Sequence, residues 1–159
     1  MKVLLVCTGN ICRSPMAEAI ARRLLRARGR DDVAVSSAGT AAQDGAPASE
    51  GAYLVALEHG LDLSAHRARQ ITSDLVASAD LIFGMSPHHV ERAVALGGTG
   101  KAHLLGEYAG RAAADAQIDD PFGGDLDEYR ATFERLEALL ADAVGRLPGK
   151  PADANPGDH

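Results

Sequence analysis

The sequence predicts an α/β fold in a single domain: an open, four-stranded parallel sheet flanked by helices. Four short apolar runs, residues 2–6, 33–37, 81–85 and 101–105, have the length and composition of strands, and they alternate with segments of helical periodicity. Strands that alternate with helices pair in parallel through right-handed crossovers. A tight loop containing Gly9 and Asn10 follows the first run directly and leads into a helix start. Open sheets of this class take ligands at the C-terminal ends of their strands, so that loop lies where a ligand is expected.

Each element has its own signal. Val3-Leu4-Leu5-Val6 is apolar at every position, which suits a central strand covered on both faces. Ser14 is placed as an N-cap and Pro15 as the first residue of a helix over residues 15–28. Met16, Ala17, Ile20, Ala21, Leu24 and Ala27 form its apolar stripe, Glu18, Arg22, Arg23 and Arg26 lie off it, and Gly29 ends it. Residues 33–37 read as the second strand, with Ala38-Gly39-Thr40 as the turn that follows. Pro47 is expected to open a helix that reaches His59 and closes at Gly60. Residues 61–70 are a mixed stretch with His66, Arg67 and Arg69. Thr72 or Ser73 caps a short helix through Ala79. Residues 81–85 read as the third strand, and Ser86-Pro87 repeats the cap-plus-proline signal for a helix to Leu96, closed by Gly97-Gly98.

Residues 101–105 read as the fourth strand. Residues 106–125 have no regular pattern, and a segment of about twenty residues is longer than an ordinary connection. In the last helix Leu126, Tyr129, Phe133, Leu136, Leu140 and Val144 recur at helical spacing, and Asp125 with Glu128 resembles a capping box. From Pro148 onward Pro, Gly and Asp replace apolar residues. The expected organisation is therefore one domain over residues 1–147 and a disordered tail over 148–159. No internal repeat is present.

Composition narrows the function. A chain of 159 residues suits one domain with a substantial core. The net charge of −6 argues against a nucleic-acid partner, which favours a basic surface. No apolar run approaches a membrane span, and the apolar start is too short for a signal peptide, so no membrane partner is expected. The chain has 2 cysteines, five positions apart, which is no disulfide framework; a reducing, cytoplasmic location is the expectation. The same spacing, with scattered histidines, fits no zinc site, and His88-His89 reads as a solvated pair. The loop also lacks the Gly-Lys-Ser/Thr ending of nucleotide-binding loops. No metal and no cofactor are expected.

The chemistry concentrates in the first loop. A loop between a strand and a helix N-terminus aims backbone N–H groups at one spot, with the positive end of the helix dipole behind them. Cys7 opens that loop and Arg13 closes it. Thiolate is favoured at such a place, and a guanidinium grips two oxygens of a phosphate at once. An arginine at a helix N-terminus opposes the dipole unless an anion binds there. The reading is a nucleophile on the floor of an oxyanion cradle. The aryl and alkyl oxygens of phosphate esters also leave poorly as bare anions, so a general acid is wanted, and the loop carries none. Asp119 and Asp120, in the long polar segment, are the candidates; Asp120 alone is followed by a stiffening proline.

The spacing Cys7-(x)5-Arg13-Ser14, with Cys12 directly before the arginine, resembles the phosphate-binding loop of the low-molecular-weight protein tyrosine phosphatases. The resemblance continues through Pro15-Met16-Ala17-Glu18, recurs at Asp120-Pro121 and covers residues 1–147. It implies a four-stranded parallel sheet and a metal-independent phosphatase acting on a phosphorylated protein. The route is a cysteinyl-phosphate intermediate, with inorganic phosphate as product. Cys7, Arg13 and Asp120 would be the catalytic residues. Thr8, Gly9, Asn10, Ile11, Cys12, Ser14 and Phe122 would form the substrate site. Ser14 would stabilise the thiolate, and Asn10 would tie the loop together with the supporting residues Ser37 and His66. Cys12 is either a packing residue or a second thiol that traps oxidised Cys7 as a disulfide.

The resemblance leaves substrate alternatives. Asp120-Pro121-Phe122-Gly123-Gly124 resembles the related bacterial protein-arginine phosphatases, so phosphoarginine stands as the alternative to phosphotyrosine. The position of Ile11 is typically branched and apolar in the tyrosine enzymes and threonine in the arginine enzymes. An apolar wall suits a flat aryl ester and leaves the N–H groups of a phosphoguanidinium unpaired, which favours phosphotyrosine. Phe122 adds an aromatic surface, although it stands where the tyrosine enzymes often have tyrosine, and Gly123 replaces a second aromatic. A thiol-dependent arsenate reductase shares the loop but needs further cysteines after Cys12, and there are none. A catalytically silent phosphate-binding module is the remaining alternative, and the intact Cys7, Arg13, Ser14 and Asp120 set argues against it.

Overall fold

The computed structural model describes residues 1–149. Residues 150–159, most of the expected tail, lie outside the described residues. The four expected strands are β1 (Lys2–Cys7), β2 (Ala34–Gly39), β3 (Leu81–Gly84) and β4 (Ala102–Leu104). They form one parallel sheet in the order β2-β1-β3-β4. β1 is central: it pairs with β2 from Lys2↔Ala34 to Cys7↔Gly39, and with β3 from Val3↔Leu81 to Val6↔Gly84. The chain leaves β1 to one side for β2 and returns to the other side for β3. The crevice at this reversal opens at the C-terminal end of β1, where Cys7 sits.

The all-apolar pattern of β1 is explained by two covered faces. Val3, Leu5 and Cys7 join one apolar cluster, whereas Leu4 and Val6 join another with Val76, Ile82 and Ala93. Strand alternation sends successive side chains to opposite faces, so each face needs its own helical layer. The first layer is built by α1 (Arg13–Ala27), α2 (Glu50–Glu58) and the long C-terminal helix. The second is built by α3 (Ser73–Ser78) and α4 (Pro87–Ala93).

Several boundaries depart from the sequence expectation, each for a local reason. α1 starts at Arg13 rather than Pro15. Cys12 is its N-cap and makes no side-chain cap bond, while Ser14, expected as the cap, lies inside the first turn with its hydroxyl 2.9 Å from the Cys7 sulfur. The buried stripe of α1 runs through Ala17, Ala21 and Leu25 at four-residue steps, so Leu25 is buried, Leu24 half-buried and Ala27 exposed. α2 begins three residues after Pro47, because Ser49 is the cap and accepts the Ala52 N–H at 3.4 Å. α4 widens into a π-type turn over Val94–Gly98, in which Gly97 takes a φ of 109° open to glycine.

β4 is shorter than expected because Leu105 already starts a one-turn helix, α5 (Leu105–Tyr108). With a 3₁₀ turn at Ala113–Asp115, the segment read as irregular is partly structured. The final helix, α6 (Leu126–Gly145), is capped by Asp125, whose carboxylate accepts the Glu128 N–H at 2.9 Å. Tyr129, Phe133, Leu136, Leu140 and Val144 are buried as their spacing predicts, while Leu126 remains exposed.

Candidate active site

The loop between β1 and α1 is held by its carbonyls and leaves its N–H groups free. The carbonyl of Cys7 accepts from Thr40 N–H, Thr8 from Ala41, Ile11 from Ser49 and Cys12 from Met16. The Asn10 carbonyl accepts from His66 Nε2 at 2.6 Å, which makes Nε2 the protonated nitrogen. By contrast, the N–H groups of Gly9, Asn10, Ile11 and Cys12 donate to no protein group among the described residues. Backbone polar groups need partners. A row of unpaired donors at a helix N-terminus is the architecture that takes an oxyanion.

Asn10 is the pin of the loop. It is the only non-glycine residue with positive φ among the described residues, at 56°. Its side chain is fully buried, donates to Ser14 Oγ at 2.8 Å and Ser37 Oγ at 2.9 Å, and accepts from Arg69 N–H at 3.0 Å. Ser37 donates in turn to Glu18 Oε1 at 2.6 Å. Ser14, having accepted from Asn10, keeps its own proton for the Cys7 sulfur. Gly39 closes the back: a Cβ on it would collide with the Thr8 carbonyl and stand 3.0 Å from Asn10 N. Gly9 does not use a positive φ, and a Cβ there would meet only Ile11 at ordinary contact distance.

Arg13 is 3% exposed and reaches across the crevice. Its Nη1 donates to Ile118 O at 2.9 Å and Ser86 Oγ at 3.2 Å, and its Nη2 to Thr8 Oγ1 at 3.4 Å. Asp120 Oδ2 lies 3.5 Å from Nη2. Asp120 also accepts the Phe122 N–H at 3.1 Å, which fixes the turn that carries it. The remaining guanidinium donor, Nε, is buried without a partner among the described residues.

Cys7, Thr8, Gly9, Ile11, Cys12, Arg13, Asp120 and Phe122 line one pocket of about 210 Å³. Of the two candidate aspartates, Asp120 lines it and Asp119 does not. Asn10 and Ser14, expected in the substrate site, lie behind the pocket wall with Ser37 and His66 and brace the loop from there. Cys12 shares hydrogen bonds with Ser49 (3.2 Å) and Tyr129 (3.4 Å); burial pushes its thiol up, and burial pushes Tyr129 up to about 12. Both cysteines are free thiols.

Sequence reasoning missed Glu18, Ser86, His89 and the Ile118 carbonyl. Glu18 lay within the motif run and was the one legible signal. His89, read as solvated, has no exposed surface; only its neighbour His88 is exposed. It is covered because Gly84 lets the first turn of α4 settle on β3: a Cβ at Gly84 would stand 3.0 Å from His89 Cβ.

Comparison with known proteins agrees with this geometry. Residues 2–150 match the family described as low molecular weight phosphotyrosine protein phosphatase. The low molecular weight protein-tyrosine-phosphatase PtpB of Staphylococcus haemolyticus is 38% identical over 88% of this chain and 95% of its own length. The protein-arginine-phosphatase of Bacillus subtilis is 36% identical over 92% of this chain and 97% of its own. The solved low molecular weight protein tyrosine phosphatase of T. tengcongensis superposes with a TM-score of 0.86 at 37% identity, covering 92% of this chain and 99% of that one.

Proposed function

Because this chain belongs to the low molecular weight phosphotyrosine protein phosphatase family, we propose that it hydrolyses phosphotyrosine in protein substrates, with Cys7 as nucleophile, Arg13 as phosphoryl grip and Asp120 as general acid. The observation that carries the roles is the meeting of Cys7, Arg13 and Asp120 in one pocket, with the buried Arg13 Nε and the loop N–H groups lacking protein acceptors among the described residues. Phosphoryl oxygens supply those acceptors. The reacting group would then be fixed over the Cys7 sulfur, and the charge on its equatorial oxygens would be stabilised in the transition state.

The residues define the steps. The Cys7 thiolate attacks phosphorus as the P–O bond to the leaving group breaks, and that oxygen takes the proton of Asp120. Water then attacks the cysteinyl-phosphate and passes a proton to the Asp120 carboxylate. The P–S bond breaks, and inorganic phosphate leaves behind a restored thiolate that Ser14 stabilises. No step calls for a metal or cofactor. Asp120 starts within reach of Arg13, and phosphoryl oxygens that take the guanidinium edge free it to face the leaving oxygen.

Ile11 and Phe122 give the pocket apolar walls suited to an aryl ester. An uncharged, apolar wall at Ile11 offers nothing to the N–H groups of a phosphoguanidinium. The supporting observations for a cytoplasmic location are two free thiols and, among the described residues, no helix long and apolar enough to cross a membrane. The test is parallel turnover of phosphotyrosine and phosphoarginine peptides by the native protein and Cys7→Ser. Phosphotyrosine should be hydrolysed faster, and Cys7→Ser should be inactive. Faster phosphoarginine turnover would assign the protein-arginine phosphatase reading instead, and an active Cys7→Ser would remove the nucleophile.

A further inference from the structure

Beside the catalytic groups lies a buried histidine that the mechanism does not use. His89 sits in the first turn of α4 with no exposed surface, and both ring nitrogens are engaged. Nδ1 accepts the Ser86 backbone N–H at 3.0 Å. A nitrogen that accepts carries no proton, so the neutral ring holds its proton on Nε2. Nε2 lies 2.9 Å from Thr8 Oγ1, and with the tautomer settled the histidine donates to the hydroxyl. The contact joins residues 81 positions apart, the β3–α4 turn to the phosphate loop.

The two groups that His89 touches belong to residues that hold Arg13. Ser86 Oγ accepts from Nη1 at 3.2 Å and Thr8 Oγ1 from Nη2 at 3.4 Å. A freely rotating threonine hydroxyl makes a poor anchor for a guanidinium. One whose lone pair is engaged by a rigid, buried N–H is oriented.

Taking Arg13 as the phosphoryl grip of the preceding section, we propose that His89 is a positioning residue: it fixes the Thr8 hydroxyl and through it the orientation of the Arg13 guanidinium over the cradle. Its role is geometric and is exerted by the Nε2–H donor. An amide that places an N–H where Nε2 stood can replace it, and a shorter one cannot.

Two variants separate that donor from the bulk of the ring. His89→Asn keeps an acceptor for Ser86 N–H but falls short of Thr8. His89→Gln reaches Thr8 and donates there. With p-nitrophenyl phosphate as substrate and inorganic phosphate as competitive inhibitor, His89→Asn should lower kcat about tenfold and weaken phosphate inhibition by a similar factor, the worth of about one hydrogen bond. His89→Gln should stay within about threefold of the native protein on the same scale. Thr8→Val should lose about as much as His89→Asn, and the double variant should be no worse than about twofold beyond either single one, because both break the same link. Circular dichroism restricts the comparison to folded protein. Equal losses in Asn and Gln, native kcat in His89→Asn, or losses that multiply in the double variant would each overturn the proposal. Arg13→Lys separates the two readings: if it binds phosphate as tightly as the native protein, the grip assigned to Arg13 fails, and the brace with it. If Arg13→Lys loses phosphate while His89→Asn does not, only the brace fails.

Discussion

Asp120 and Arg13 face each other at 3.5 Å, yet their environments differ: the guanidinium is 4% exposed and the carboxylate 47%. A half-exposed ion pair holds its partners weakly, which leaves Asp120 available to a leaving group. Asp120→Asn should therefore slow phenyl phosphate about 10²–10⁴-fold, the usual worth of a general acid, and slow p-nitrophenyl phosphate much less. Rates of both esters on the two proteins check this; equal losses would make Asp120 a binding residue. His89 makes a second residue-level expectation. Burial, with smaller contributions from the His88 ring and Arg13, pushes it down from 6.5 to about 3. Between those values the unfolded chain takes up a proton that the folded chain refuses. Stability therefore falls as pH falls, by about 1.4 kcal/mol per pH unit from this group. His89→Gln lacks that proton, so between about pH 6 and about pH 4.5 its unfolding free energy should fall less steeply by about that slope. Urea titrations at the two pH values measure it. Parallel slopes would mean that the folded protein protonates His89.

At the scale of elements, the site depends on how closely helices and strands approach. α2 meets α6 at Gly51, where a Cβ would run into the Tyr129 ring. Tyr129 in turn hydrogen-bonds Cys12 and Ser49, so this contact backs the phosphate loop. Alanine gains at most about 1 kcal/mol over glycine inside a helix, and Gly51 is only the second residue of α2, whereas overpacking costs about 1–3 kcal/mol. The clash should win, and Gly51→Ala should lower stability, read as an earlier urea midpoint with an unchanged slope. The same logic explains why element boundaries were harder to read than the elements. Apolar runs located the strands and apolar periodicity α1 and α6, while cap, proline and glycine signals located α2, α3 and α4. The start of α1 moved because Cys7 and Asn10 take the Ser14 hydroxyl from the helix backbone. The one-turn helix α5 left no trace, because four residues are too short to show a period.

At the scale of the molecule, the pocket draws on two separate stretches, the loop after β1 and the segment before α6, and the turn after β3 holds Arg13 and Thr8 from outside it. The two apolar clusters on either face of the sheet hold these together. A ligand that bridges them should stabilise the whole domain as one unit. Inorganic phosphate at about a hundred times its dissociation constant should add about 2.7 kcal/mol to unfolding. Arg13→Ala should lose most of that increment, because the guanidinium goes, and with it Nε, the buried side-chain donor that has no protein partner among the described residues. Thermal or urea unfolding with and without phosphate gives both numbers, and an equal gain in Arg13→Ala would place the anion elsewhere.

The sequence by itself determined the class of fold and the phosphate loop. Both are local: strand and helix periods repeat within a few residues, and the nucleophile, its loop and the arginine fall within Cys7 to Ser14. Only the tertiary structure decided what grips the arginine. Arg13 meets Ile118 across 105 positions and Ser86 across 73, and Thr8 meets His89 across 81. Contacts that distant depend on strand order and on how far a glycine lets two elements approach. Neither leaves a period or a spacing in the chain, so His89 looked like a surface residue until β3 and α4 closed over it.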